Sequence, residues 1–241
     1  MNRLSLLACT SLVFAVGCAD DIDPEWQLDH DRIVAVRATP PRIVPGERAI
    51  LDMLVARVGD APIEVAPLAA QVVSPESLAD LVTVNSQGWG VTAPLEERLV
   101  AVRQELGIEP GKPVPVTVGV AADASAFPSG AGPFAATKVV WLGESAQNPV
   151  IDSMTTINGV AADATPAELV VGKEVEVPLS VPFAPPDQVR WLTSCGTMYD
   201  FDLPDAYLKV ELEDPTEGDL AVVVRTANGG VAWRVWPIRA E

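Results

Sequence analysis

The sequence predicts an all-β chain that contains two tandem β-sandwiches. Short segments rich in Val, Ile, Leu and Thr alternate with clusters of Pro, Gly, Asp and Asn, a spacing typical of strands and turns. The 22 prolines argue against long helices. One pattern of residues recurs at a constant offset of 126 residues, which indicates two domains of one type.

The N-terminus has the features of a signal peptide. Arg3 precedes an apolar run, Leu4 to Val16, that is shorter than the roughly twenty residues a membrane-spanning helix needs. The run ends in Ala15-Val16-Gly17-Cys18, which resembles the lipobox of bacterial lipoproteins, with Ala15 in place of the usual Leu. The resemblance implies cleavage before Cys18 and attachment of the protein to a membrane through lipid on that residue. An ordinary secretory signal, which would leave Cys18 as a free thiol, is the alternative.

Residues 18–30 are then predicted to be the lipidated Cys and an acidic tether. Its acidic part, Ala19 to Asp29, reaches at most about 35 Å when fully extended. Trp26 is unexpected in a linker, and we expect it to pack against the first domain or to lie at the lipid interface. Ala19 after the lipidated Cys implies sorting to the outer membrane, with the protein facing the periplasm or the cell surface.

The two domains are predicted to span residues 31–146 and 147–241. Each has about the length that a domain needs to form its own core. The strands predicted in the first are Ile33–Ala38, Ala49–Val58, Val114–Ala121 and Ala135–Leu142. Those predicted in the second are Glu174–Val181, Gln188–Thr193, Tyr207–Leu212, Leu220–Thr226 and Val231–Ile238.

The internal repeat consists of residues 38–55 and 164–181. In each copy Ala-Thr-Pro is followed by an apolar pair, a Gly, and three alternating apolar residues, all at the same spacing. This order predicts a turn, a short apolar segment, a second turn and a strand with one face in a core. The final strand pair of the second domain is joined through Asn228-Gly229, a strong hairpin signal.

The first domain also contains a predicted helical insertion. Leu95, Leu99, Val102 and Leu106 form one apolar stripe at helical spacing, Pro94 precedes them, and Gly107 follows as a stop. A turn or short helix is predicted from Ser74-Pro75-Glu76 to Leu81.

The second domain resembles bacterial immunoglobulin-like domains, the broad group that includes PKD-type and cadherin-like modules. The likeness is carried by Val189-Arg190-Trp191 as the strand with a core tryptophan, by Gly196, and by Leu220–Val224 before the Asn-Gly turn. Val36 to Gly46 is similar to the opening of such a domain. The resemblance implies two immunoglobulin-like sandwiches, and the whole chain resembles Gram-negative lipoproteins with tandem domains of this kind. The inter-sheet disulfide of antibody domains is absent from the sequence.

Composition narrows the possible functions. The formal charge of −17 makes nucleic-acid binding improbable, because the phosphate backbone repels an acidic chain. His30 is the sole histidine, so the usual ligands of a zinc site are too few. No Gly-x-Ser-x-Gly elbow is present. Cys195 is expected to be a small buried apolar residue, the alternative being an exposed thiol that links to a partner.

Two candidate binding sites remain. Asp200, Asp202 and Asp205 form the best candidate calcium site, and a solvated acidic loop, which their spacing favours over a calcium site, is the alternative. Trp89, between two glycines in a predicted loop, is the candidate ligand contact. We therefore expect a noncatalytic, cofactor-free envelope lipoprotein that serves as a structural or protein-interaction module. The alternatives are a carbohydrate- or peptidoglycan-binding module and a hydrolase that uses an acidic pair.

Overall fold

The computed structural model describes residues 24–130, 134–151, 155–162 and 168–241. These ranges form four β-sheets and one α-helix. In the N-terminal part the strands are β1 (Arg32–Thr39), β2 (Arg42–Ile43), β3 (Arg48–Arg57), β4 (Asp60–Val65), β5 (Ala69–Ser74), β6 (Val82–Asn85), β7 (Gly88–Thr92), β8 (Val114–Ala121) and β9 (Ala135–Leu142). The helix α1 spans Glu96–Leu106, and short 3-10 helices span Glu76–Leu81 and Ala124–Ala126.

The C-terminal part consists of strands alone in the described ranges. They are β10 (Thr156–Ile157), β11 (Val160–Ala161), β12 (Leu169–Val171), β13 (Glu176–Ser180), β14 (Gln188–Thr193), β15 (Thr197–Tyr199), β16 (Asp205–Lys209), β17 (Glu217–Arg225) and β18 (Val231–Ala240). All the strands predicted from the sequence are present, with ends that differ by a few residues.

Each part is a sandwich of two sheets. In the N-terminal sandwich, sheet I has the order β1-β3-β7-β6 with β4 also paired to β3, and sheet II has the order β2-β9-β8-β5. In the C-terminal sandwich, sheet III has the order β12-β18-β17-β14 and sheet IV the order β11-β10-β13-β16-β15. The fold is all-β and immunoglobulin-like, as predicted, and Trp191 on β14 is the fully buried core tryptophan.

The two copies of the repeat occupy equivalent places. In the first, Ile43 of the apolar pair lies in β2, which runs parallel to β9, the last strand of its sandwich. In the second, the pair lies in β12, which runs parallel to β18, again the last strand. Residues 164–167 of the second copy lie outside the described ranges. The shared sequence pattern therefore specifies a short parallel strand followed by a crossing to the opposite sheet.

The helical insertion is also confirmed. Leu99 and Val102 are buried against the N-terminal core, whereas Leu95 and Leu106 at the ends of the stripe are exposed. Gly107 ends the helix in the left-handed region, and its N–H donates to the carbonyl oxygens of Arg103 and Gln104. In the described ranges, no helix is both long and apolar enough to cross a membrane.

The four sheets are layered in the order II, I, III, IV. One buried cluster lies between sheets II and I, a second between sheets III and IV, and a third between sheets I and III. On β17, Val222 and Val224 face the core of the C-terminal sandwich, while Ala221 and Val223 face the N-terminal sandwich. The two central sheets are therefore apolar on both faces where they meet.

Candidate functional site at the junction of the two sandwiches

The junction between the sandwiches is apolar at its centre. We call its buried residues the junction cluster: Leu28, Ala35, Leu54, Ala56, Leu192, Ala221, Val223, Val231 and Trp233. Most of these side chains are small, which allows two sheet faces to approach closely. Trp233 and Trp236 are separated by an odd step along β18, and they face opposite sides as the sequence predicts. Trp236 lies in the core of the C-terminal sandwich, and Trp233 lies in the junction cluster.

The segment before β1 is built into this junction. Leu28 is 1% exposed, and Trp26 packs against the core of the C-terminal sandwich. The Leu28 amide donates to the carbonyl oxygen of Thr193 at 2.8 Å, and the Thr193 amide donates to that of Trp26 at 2.9 Å. Residues 24–30 thus lie along the edge of β14. The sequence predicts that Trp26 packs against the first domain or lies at the lipid interface. Its ring instead packs against the second domain.

A polar network continues the junction beyond the cluster. The Arg37 guanidinium pairs with Asp52 and Glu64 and lies 4.1 Å from the ring centre of Trp233. The indole N–H of Trp233 donates to Glu64 Oε1 at 2.7 Å. Three residues of sheet I therefore hold one tryptophan of sheet III. A cavity of about 720 Å³ opens beside Arg37 and Asp52 and is closed on one side by residues 147–150.

The Asn-Gly hairpin of the C-terminal sandwich is held by the N-terminal sandwich. Arg42 Nε donates to the Asn228 carbonyl oxygen at 2.6 Å, and Lys138 Nζ donates to that of Gly229 at 2.5 Å. A Cβ at position 229 would lie 2.9 Å from Nε1 of Trp141, and the φ of Gly229 is +88°. Only glycine combines this turn with such a close approach. We call this arrangement the hairpin clasp.

The connection between the sandwiches contributes one further bridge. Asn148 donates through Nδ2 to the carbonyl oxygen of Ala38 at 2.9 Å and accepts through Oδ1 from the Val231 amide at 2.9 Å. One side chain of the connecting segment therefore joins β1 to β18. Together with the cluster and the clasp, this contact makes the two sandwiches one structural unit.

Lys138 is an unusual component of the clasp, because it is a buried amine. Burial, followed by the charge of Arg225, lowers its pKa from 10.5 to about 8. Below pH 8 the ammonium is charged in both the folded and the unfolded chain, and the folded chain carries the full desolvation cost. Between pH 8 and about 10.5 the folded chain releases the Lys138 proton before the unfolded chain does. The free energy of unfolding therefore increases as pH rises through this range.

We expect Lys138→Met to be more stable than the wild type at pH 7 by about 1 kcal/mol. The pKa shift corresponds to a cost of roughly 3 kcal/mol, but the variant also leaves the Gly229 carbonyl oxygen without its donor, a loss of about 1–3 kcal/mol. Urea unfolding at pH 7, 8.5 and 10 measures the difference, which should vanish or reverse at pH 10. Lys112→Met, at an exposed lysine, serves as the control. A difference that does not change with pH contradicts this account.

The structure places Trp89 in β7 and not in a loop. The residue is partly buried against the N-terminal core, and its Nε1 donates to the Leu68 carbonyl oxygen at 3.1 Å. Gly90 after it is required by packing, because a Cβ there would lie 2.4 Å from the carbonyl oxygen of Ala49. Of the two glycines that indicated a loop, Gly90 therefore serves close strand packing, whereas Gly88 adopts a φ of +104° with nothing near its Cβ position. The prediction that Trp89 contacts a ligand stays a prediction.

The three aspartates predicted as a calcium site are exposed but do not converge. Asp205 Oδ1 accepts from the Ser180 hydroxyl at 2.6 Å, whereas Asp202 lines a cavity together with Arg190 and Arg225. In the described ranges, no group of three or more His, Cys, Asp or Glu side chains could hold a metal ion. The acidic spacing was misleading because the chain turns sharply at Asp200, which has a φ of +53°.

Of the remaining candidates, Cys195 is fully buried in the C-terminal core, as expected of a small apolar residue. Its Sγ donates to the Pro215 carbonyl oxygen at 2.8 Å, and burial raises the pKa of the thiol. His30 follows the docked segment, and its backbone amide donates to the Leu28 carbonyl oxygen. Cys18, the predicted lipidation site, lies outside the described residues.

No protein-family model matches the sequence, and no curated protein matches it. Among solved structures, the tandem Ig repeats of Dlar are 10% identical, with a TM-score of 0.28; the match covers 88% of this chain and 97% of that chain. The protocadherin gamma B4 extracellular domain is 11% identical at a TM-score of 0.26, covering 88% of this chain and 34% of that one. A nucleoside hydrolase-related protein from Saccharophagus degradans, associated with carbohydrate metabolism, is 13% identical at a TM-score of 0.28, covering 39% and 26%. The chain thus spans about a third or less of two of these proteins, and its fold class rests on its own strand pairing.

Proposed function

We propose that the protein is a noncatalytic lipoprotein of the cell envelope that acts as a structural or protein-interaction module. It is tethered through lipid on Cys18 and resides in the outer membrane. The observation that carries the proposal is the fixed arrangement of two immunoglobulin-like sandwiches around the N-terminal segment. A unit of this kind presents its outer sheet faces and loops in one constant geometry, which suits binding of an extended partner.

The docked N-terminal segment also determines how the module is held. The residues between Cys18 and Pro24 span at most about 20 Å even when fully extended. An anchor on Cys18 therefore keeps the junction close to the bilayer surface. The predicted tether of residues 18–30 would have allowed a much larger range of positions, so the docking of residues 24–30 converts a loose attachment into a short one.

Metabolic labelling with a palmitate analogue tests the anchor. The wild type and Cys9→Ser should be labelled and should fractionate with outer membranes, because Cys9 leaves with the signal peptide. Cys18→Ser should be unlabelled and released from membranes. The proposed lipid is attached at Cys18, so the variant has no acyl chain left to hold it. Equal labelling and equal fractionation of Cys18→Ser and the wild type would refute the anchoring proposal.

Cross-linking in intact cells, followed by purification of the full chain, tests the interaction role. We expect the wild type to retain one or more envelope proteins and to remain in solution when mixed with isolated peptidoglycan. Sedimentation with peptidoglycan that is lost in Trp89→Ala and kept in Tyr199→Ala, at an exposed aromatic residue of the other sandwich, would instead establish the carbohydrate-binding alternative.

A further inference from the structure

A small cavity lined by arginines lies at the junction, beside the N-terminal segment. Its volume is about 160 Å³, enough for several water molecules of about 30 Å³ each and hence for one tetrahedral oxyanion. The lining residues come from the N-terminal segment, β1, β14 and β17: Glu25, Arg32, Ile33, Val34, Arg190, Leu192, Val223 and Arg225. Three guanidinium groups and one carboxylate therefore share one cavity, in a chain whose net charge is −17.

Arg225 stands out among these arginines by its partners in the described ranges. Its Nη2 donates to the carbonyl oxygen of Val34 at 2.9 Å, and within the described part of the chain it forms no ion pair with a carboxylate. Burial and the neighbouring charge of Arg190 lower its pKa. Arg225 is partly buried, and leaving a partly desolvated charge uncompensated costs stability, since such charges in proteins are normally paired. An anion bound in the cavity would supply the missing partner.

The other two arginines are held in place by the N-terminal segment. Arg32 Nη2 donates to the backbone carbonyl oxygens of Glu25 and Gln27, at 2.9 and 2.6 Å. Arg190 Nη1 pairs with Glu25 Oε2 at 2.9 Å, and its guanidinium lies 5.9 Å from the ring centre of Phe201. The guanidinium groups are thus oriented before any ligand arrives, which reduces the entropy lost on binding.

We infer that this cavity binds a phosphate group, with Arg190 and Arg225 as its principal contacts. A phosphate dianion has enough oxygens to accept from two guanidinium forks at once, and it neutralises two cations that repel one another. The adjoining cavity of about 430 Å³ is also lined by Arg190 and Arg225, together with Asp187 and Asp202. It offers room for the uncharged part of a larger phosphate-bearing molecule.

The phosphate group belongs either to a lipid headgroup or to free phosphate. The lipid source rests on the proposed anchoring: Glu25 and the cavity would then lie within reach of the bilayer, because the chain from Cys18 to Pro24 is short. Free phosphate needs no such proximity. Both sources present the same oxygens to Arg190 and Arg225.

Calorimetric titration of the full chain, purified in non-ionic detergent, tests the inference with two probes. One probe is inorganic phosphate, and the other is the short-chain lipid dihexanoyl phosphatidic acid. Arg225→Gln should weaken binding by roughly 10- to 100-fold, since hydrogen bonds to charged groups are lost. Arg98→Gln, which removes the same charge from an ion pair with Asp80 elsewhere on the surface, should bind as the wild type does. Thermal unfolding verifies that each variant is folded.

Tighter binding of the lipid probe identifies a headgroup as the source, and binding of inorganic phosphate alone identifies free phosphate. The inference fails if the wild type binds neither probe, or if Arg225→Gln binds both as strongly as Arg98→Gln does. Should Arg225→Gln not fold, Arg190→Gln gives the same comparison at a more exposed position. Palmitate labelling of Cys18 is independent of these titrations, so failure here leaves the anchoring proposal standing.

Discussion

Trp233→Ala is expected to separate the unfolding of the two sandwiches. The substitution removes a large side chain from the junction cluster, together with its hydrogen bond to Glu64 and its contact with Arg37. Replacing a buried tryptophan by alanine costs about 3–5 kcal/mol, and here the whole cost falls on the contact between the sandwiches. Differential scanning calorimetry should show one transition for the wild type and two for the variant.

A matched tryptophan distinguishes loss of coupling from general destabilisation. Trp89 lies in β7, away from the junction cluster, and packs only against the N-terminal core. Trp89→Ala should therefore lower the melting temperature without splitting the transition. A single cooperative transition for Trp233→Ala would show that Trp233 is not what couples the two sandwiches, and two transitions already in the wild type would show that the junction does not couple them.

Leu28→Ala is expected to release the N-terminal segment from the junction. Leu28 is among the largest fully buried side chains, and replacing a buried leucine by alanine costs about 2–5 kcal/mol. The segment is held otherwise by two backbone hydrogen bonds to Thr193, by the packing of Trp26 on the C-terminal core and by the Glu25–Arg190 ion pair. Loss of the Leu28 side chain removes the largest apolar contribution and shifts the balance towards the detached segment. Hydrogen exchange of residues 24–30 should rise strongly, while the cores of both sandwiches remain protected.

With the anchor proposed on Cys18, the same variant should also lengthen the attachment to the membrane. With the segment detached, the free chain from Cys18 to β1 would reach roughly 45 Å instead of about 20 Å. Leu95→Ala, at a leucine that is 68% exposed before the helix, should change neither exchange nor reach. Unaltered exchange of residues 24–30 in Leu28→Ala would mean that the segment is held by contacts other than Leu28.

The strands of the fold could be predicted because their sequences alternate or run apolar over the length that a strand needs. Val114 to Ala121 shows the alternation directly, with every second residue buried. Strands of two or three residues, such as β10 and β11, have too few side chains to produce a pattern. The stretch from β4 to β7 was missed because its prolines and glycines indicate turns, whereas here they occupy sheet edges and close approaches.

The layering of the sheets was also missed, although the sequence contains a signal for it. Leu220 to Val224 is an unbroken apolar run, and such runs are typical of strands that are buried on both faces. The sequence predicts a core for one face of this strand and indicates no partner for the other face. The partner is sheet I, whose strand β3 contains a similar run from Met53 to Ala56.

The arginine cavity could not have been predicted, because its residues are far apart in the chain. Arg32 is the first residue of β1, and Arg190 and Arg225 come from β14 and β17. Net charge is a sum over the whole chain, so a value of −17 argues against anion binding on average while concealing a local excess of arginine. The docking of Glu25 and Gln27, which positions two of the three arginines, has no sequence signal.

The hairpin clasp has a consequence for the order in which the chain folds during its synthesis. Arg42 and Asn228 are 186 residues apart in the chain, and Arg225 and Val34 are 191 apart. Contacts of such separation form late, because the intervening chain must be ordered first. The apolar outer face of sheet I is therefore complete before its cover exists, and Leu54 and Ala56 stay open to water and to other unfolded chains until the last strand has been synthesised.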